Sequence, residues 1–189
     1  MKTQISSFEI AVADALTKTG WDVFAATKDR GVDLVAFPSL QDGQPAIRIQ
    51  VKGSRTYTYD RFQGWFIVKP DDLSNGQTDV WIFVCFVPIT KGRLQPQFAA
   101  ISPAELLRRL GSYGRVRDHK MNFYLTEHNG RLVDNRGFLL RAKNSPGERE
   151  VPPERDYTEF WGREKLVEVI TIAIDGKRYQ TANVSLLEV

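Results

Sequence analysis

Gly31-Val32-Asp33-Leu34-Val35-Ala36, followed beyond a turn by Ile47-Arg48-Ile49-Gln50-Val51-Lys52-Gly53, is the stretch whose reading decides the fold. The second segment alternates as a strand does. Ile47, Ile49 and Val51 fall on one face, and Arg48, Gln50 and Lys52 on the other. Val32 to Phe37 is a short apolar strand, and Pro38 to Pro45, with Asp42-Gly43, is the connecting turn. Pairing of the two strands through that turn sets Asp33 beside Gln50, with Lys52 projecting to the same side as Gln50. A lysine amid Ile47, Ile49 and Val51 has little structural reason to be there. An acid at the head of Leu34-Val35-Ala36-Phe37 is unfavourable unless it is paired or bound to a cation.

Working outward, Ile5, Phe8, Val12, Ala15 and Leu16 recur at helical spacing and predict an amphipathic helix over 6–19, ended by Gly20. Trp21 to Ala26 is a strand. Asp79 to Val87 is a continuous apolar run, as expected of a central strand covered on both faces. Short strands are expected at Trp65 to Val68 and Asn122 to Leu125, and a helix at Pro103 to Leu110 with Gly111 just past its end. Asn144 to Asp156 is rich in Pro, Gly and charge and reads as a linker or long loop. Thr158 to Lys165 reads as a helix. Leu166 to Ile174, Asp175-Gly176 and Lys177 to Leu187 then read as a two-stranded hairpin. The expectation is an α/β fold with a central mixed sheet flanked by helices over 1–143. Residues 144–189 follow as a linker and C-terminal helix and β-hairpin extension, packed on the same domain.

The chain has 189 residues, 42% hydrophobic and 26% charged, with a formal net charge of +3, which excludes disorder as a whole-chain description. No apolar run approaches the roughly 20 residues of a spanning helix, and Met1-Lys2-Thr3-Gln4-Ile5 opens no secretion signal. The lone cysteine, Cys85, excludes a disulfide framework, and His119 and His128 lack the company a zinc site needs. No nucleophile elbow and no phosphate-binding loop is present, which argues against serine hydrolases and against a nucleotide cofactor. The reading is a cytoplasmic protein without a membrane partner. Arg108, Arg109, Arg115, Arg117 and Lys120 make a basic middle, and Glu148 to Glu168 an acidic stretch, an asymmetry that suits one face to a polyanion.

The strand pair suits metal-dependent phosphodiester hydrolysis. A hard cation such as Mg²⁺ or Mn²⁺ takes oxygen ligands and few protein carboxylates. Asp33 would supply the charged ligand, and the Gln50 side-chain carbonyl and Val51 backbone carbonyl the neutral ones. Lys52 would hold or deprotonate the attacking water and stabilise charge on the phosphate. Arg55, Tyr57, Tyr59 and Arg61 follow directly and mix cations with aromatics, a composition suited to phosphate contacts and base stacking. Gln63, ahead of Gly64-Trp65-Phe66, is a further candidate for the same nucleic-acid contact.

At Glu9 on the first helix, Asp33 on the second strand, and Gln50 and Lys52 on the third, the sequence resembles the PD-(D/E)xK nuclease superfamily. The Gln-x-Lys form resembles the catalytic domains of type IV restriction endonucleases, and some archaeal Holliday-junction resolvases share the helix-glutamate arrangement. The resemblance covers the chain to about Val87. It implies a restriction-endonuclease-like core and a Mg²⁺-dependent DNA endonuclease acting in restriction, defence or repair, with Asp33, Gln50, Val51 and Glu9 as metal ligands. Cutting both strands then calls for two active sites, as in a homodimer. Two readings of Glu9 stand: a ligand, or the third helical residue of a capping box with Ser6. The alternative function is a catalytically inactive nucleic-acid-binding or assembly subunit of the same fold, favoured by Gln50 in place of an acid.

Overall fold

In the computed structural model, residues 4–27, 31–38, 45–55, 62–90, 92–111, 120–135 and 151–185 are described. Ser6 caps helix α1 (Ser7–Thr17), and Val12, Ala15 and Leu16 bury one of its faces. The chain then builds β1 (Asp22–Ala25), β2 (Leu34–Phe37) and β3 (Ile47–Ser54) as an antiparallel meander. Strand β4 (Gln63–Val68) and the short helix α2 (Pro70–Ser74) cross over to β5 (Val80–Thr90), which returns parallel to β3. β6 (Arg93–Ile101) pairs antiparallel with β5. Helix α3 (Pro103–Gly111), β7 (Met121–His128), β8 (Arg131–Asp134) and helix α4 (Arg163–Ser185) complete the order.

The result is α/β with a mixed central sheet, ordered β1-β2-β3-β5-β6, and a smaller antiparallel sheet, β4-β7-β8. β5 explains why both layers hold together. Its residues are buried on both faces, and alternation sends Val80, Ile82 and Val84 one way and Trp81, Phe83 and Cys85 the other. The first set joins Val12 and Leu16 of α1, Ile47, Ile49 and Val51 of β3, and Leu166, Ile170 and Ile174 of α4. The second set packs on Phe66 of β4, Phe123 and Leu125 of β7, and Leu106 of α3. By the same alternation, Gln50 and Lys52 stand opposite Trp81 and Phe83, on the side that faces the second sheet.

Two expectations need correction. The C-terminal hairpin is absent: Leu166 to Ser185 belongs to one continuous helix, and Asp175-Gly176 sits inside it. Leu166, Ile170 and Ile174 recur at helical spacing and are buried against the sheet, so tertiary packing overrides the β-branched composition. Ahead of it, Thr158–Phe160 is only a single 3₁₀ turn, and Gly162, at φ 113°, breaks the chain before α4 begins at Arg163. Residues 144–150 of the expected linker lie outside the described residues. Strands β6 and β8 were not anticipated from the sequence. Among the described residues, no helix is long and apolar enough to cross a membrane.

Candidate metal centre and nucleic-acid cleft

Asp33 enters the sheet just before β2. Its backbone N–H donates to Ile49 O at 2.8 Å, and its own carbonyl accepts from Ala26 N at 2.9 Å. This places the side chain over the middle of β3. There the carboxylate, only 7% exposed, accepts from Val51 N at 2.8 Å and from Gln50 Nε2. Gln50 Nε2 also donates to Val51 O at 3.3 Å. One N–H₂ group thus stands between a carboxylate oxygen and a main-chain carbonyl oxygen. The other side of the Gln50 amide faces Gly31, whose φ of +81° a side chain rarely adopts and whose carbonyl is held by Thr78 Oγ1 at 2.9 Å.

Lys52, two residues on, extends its ammonium over the Trp81 ring, 5.3 Å from the centroid. No carboxylate pairs with it among the described residues. Gly53 then permits the approach of α1, since a Cβ there would lie 2.0 Å from the Phe8 ring. Phe8 seated against β3 turns Glu9, 6% exposed, into the same cleft as Asp33. The capping-box reading of Glu9 is the one observed, and the same residue lines the cleft. Its N–H donates to Ser6 Oγ at 3.3 Å, and one carboxylate oxygen accepts from Ser6 N at 3.4 Å.

The cleft has a volume of about 650 Å³. One wall is Glu9, Asp33, Gln50, Val51 and Lys52, the residues expected from sequence. The opposite wall comes from the second sheet: Ile67 of β4, Lys69 just after it, Asp72 of α2, and Lys120 just ahead of β7. Lys120 was expected from its charge. Ile67, Lys69 and Asp72 were missed, because only the folding of β4 across β3 brings them there.

The remaining candidates scatter. Arg55, exposed after β3, and Gln63, half-buried opposite Thr126 at the head of β4, do not line the cleft. Arg108 is exposed and grips Glu105 through two nitrogens, which holds that carboxyl down to about 2. Arg109 needs correction as a nucleic-acid contact. It is 5% exposed, its guanidinium bonds Glu105, Glu159 and the carbonyls of Pro153 and Asp156, and it lies 5.0 Å from the Tyr157 ring. It ties α3 to the segment before α4 and offers no charge to a ligand. Tyr57, Tyr59, Arg61, Arg115 and Arg117 lie outside the described residues.

The donor set fits a hard divalent cation in kind: two carboxylates, a main-chain carbonyl and a side-chain amide, all oxygen donors. Among the described residues, no three His, Cys, Asp or Glu side chains form a group able to hold a metal, so any site here leans on the neutral oxygens of Gln50 and Val51. Half a turn of the Gln50 amide exchanges Nε2 for Oε1 and points three oxygens at one place. No protein-family model matches the chain, and no curated protein matches it.

Proposed function

We propose that the chain is a metal-dependent DNA endonuclease with a restriction-endonuclease-like core, using Mg²⁺ or Mn²⁺. The observation that carries this reading is the meeting of Asp33, Gln50 and the Val51 carbonyl beside Lys52 and Glu9 in one cleft. A partly positive N–H₂ group held between two oxygens stands where a cation would gather the same two oxygens. Asp33, Gln50 Oε1, Val51 O and Glu9 would hold the cation. Once bound, it supplies positive charge against the scissile phosphate and makes water at the site more acidic.

The protein's own groups do the rest. Asp33 is buried and fixed by Val51 N, so its carboxylate needs little reorganisation. Lys52, steadied over Trp81, places a positive charge where the oxygens of the pentacoordinate phosphorus gather negative charge. Water attacks phosphorus and gives up a proton to the surrounding solvent, the P–O bond on the far side breaks, and the leaving oxygen takes a proton from solvent. Lys69 and Lys120 on the opposite wall neutralise phosphates neighbouring the one attacked. Cutting both strands of a duplex takes two such clefts, and a homodimer supplies them.

A second reading rests on Gln50. An amide in place of an acid leaves the site with one negative charge fewer, and a subunit that binds DNA without cutting needs no more than this. Nicking of supercoiled plasmid in Mg²⁺ or Mn²⁺ decides between them. The nuclease reading expects cleavage by the wild type, lost by about 10²-fold or more in Asp33→Asn and Lys52→Ala, both still folded. Salt-sensitive DNA binding without metal-dependent cleavage supports the binding subunit instead. Equal cleavage by all three proteins sinks the assignment of the site.

A further inference from the structure

The outward face of β4 sets Trp65, Ile67 and, just past the strand, Lys69 in a row, while Phe66 and Val68 turn into the core. β7 lies antiparallel beside it, with Tyr124 opposite Trp65 and Asn122 opposite Ile67. The Trp65 and Tyr124 rings are 5.7 Å apart and within 13° of parallel. The indole is pinned by a hydrogen bond from Nε1 to Asn122 Oδ1 at 3.0 Å, yet Trp65 is 44% exposed and Tyr124 37%. Two flat rings are therefore fixed in orientation on an open surface. The row then runs into the cleft, because Ile67, Lys69 and Lys120 form its far wall. From Trp65 to Lys69 the strand advances roughly 13 Å.

We infer that this face is a base-stacking platform for a single DNA strand, whose phosphate chain continues past Lys69 and Lys120 toward Asp33 and Lys52. The inference rests on the nuclease reading of the cleft and adds the form of the substrate. Rings stack on the faces of bases, and in a duplex those faces are covered by neighbouring bases. A strand that uses the platform is single, frayed or locally opened. Charge complementarity selects a polyanion over an apolar protein partner, since the row ends in lysines and leads to Lys52. Cross-strand pairing of Trp65 with Tyr124 also stabilises the sheet, but that role predicts no preference among nucleic acids.

The test is fluorescence anisotropy in EDTA, so that nothing is cut, with labelled oligothymidine and an equally long strand of abasic sugars. The wild type is expected to bind oligothymidine at least about tenfold more tightly than the abasic strand. Trp65→Leu and Tyr124→Leu keep apolar cover on the sheet but lose a flat ring, and each should collapse most of that difference. Trp65→Phe should restore it. Lys69→Gln and Lys120→Gln should weaken both strands alike and lower the salt slope by about 0.7 each. A wild type that binds both strands equally, or variants that keep the full preference, overturns the platform. A wild type that nicks plasmid yet ignores bases overturns the platform and leaves the cleft reading standing. One that distinguishes the strands through Trp65 yet never cuts DNA supports the platform and defeats the cleft reading.

Discussion

Replacing Gln50 with glutamate sets a second carboxylate against Asp33 where the wild type has a hydrogen bond. Both positions are buried, at 8% and 7% exposure, so the like charges are poorly screened. In EDTA, Gln50→Glu is expected to lose about 1–3 kcal/mol of stability, read as a lower Tm. Mn²⁺ should then raise the Tm of the variant more than that of the wild type, because the added acid is also an added ligand. A variant whose Tm ignores Mn²⁺ would show that the three oxygens do not gather around a cation. Asp33, Gln50 and Lys52 were legible in the sequence because strand alternation fixes a face and an acid in an apolar strand demands a partner. Lys69 and Asp72 were not, since they lie on elements that local patterning cannot dock against β3. Arg109 misled for the complementary reason: charge in a sequence says nothing of burial, and Glu159, which holds this guanidinium, lies far along the chain.

At the scale of the element, α4 gives two predictions. Gly176 lies inside the helix, and a Cβ there meets nothing within 4 Å. Gly176→Ala should therefore stabilise the protein by about 0.5–1 kcal/mol, seen as a higher urea midpoint at unchanged slope. A hairpin turn at Asp175-Gly176 would have predicted a loss. Next to it, Lys177 Nζ donates to Asp79 Oδ2 at 2.6 Å and to Ala46 O at 2.7 Å, and Arg48 bonds both oxygens of the same carboxylate. Burial pushes the Asp79 pKa up, but the hydrogen bonds from Arg48 and Lys177 outweigh it and hold the carboxyl below its ordinary value. A lowered carboxylate pKa gives stability that is fully present above about pH 4 and is lost as pH falls through the lowered pKa. Asp79→Asn should cost about 1–2 kcal/mol at neutral pH and flatten the acid limb of stability against pH, with the partial exposure of Arg48 and Lys177 keeping the figure low. The hairpin expectation failed on Val167, Val169, Ile170 and Ile172, whose β-branched side chains favour strands in isolation. The competing signal was the helical recurrence of Leu166, Ile170 and Ile174. β6 escaped notice because it opens on Arg93-Leu94-Gln95-Pro96-Gln97, a polar start with a proline that only an edge strand tolerates.

For the whole molecule, the two buried clusters share one strand. Val84 of β5 packs in the cluster of α1 and α4 side chains, and its neighbours Phe83 and Cys85 pack under the second sheet, so loss of either layer exposes a buried face of β5. The apolar run from Val80 to Val87 announced such a strand in the sequence, but nothing there announced that a second sheet would cover its other face. The same logic bears on residues 144–189. An appended segment would melt on its own, before or after the core, whereas Leu166, Ile170 and Ile174 sit in the cluster that contains Val12, Leu34 and Ile82. Ile170 is fully buried, and Ile170→Ala should lower stability by about 2–4 kcal/mol. The loss should appear in one cooperative transition, with far-UV circular dichroism and tryptophan fluorescence tracing the same curve. Two separate transitions, with only the helical signal moved by the substitution, would make α4 an appendage. A single displaced transition makes it a wall of the core that seats α1 and β3, and so part of what keeps Glu9 and Asp33 in the same cleft.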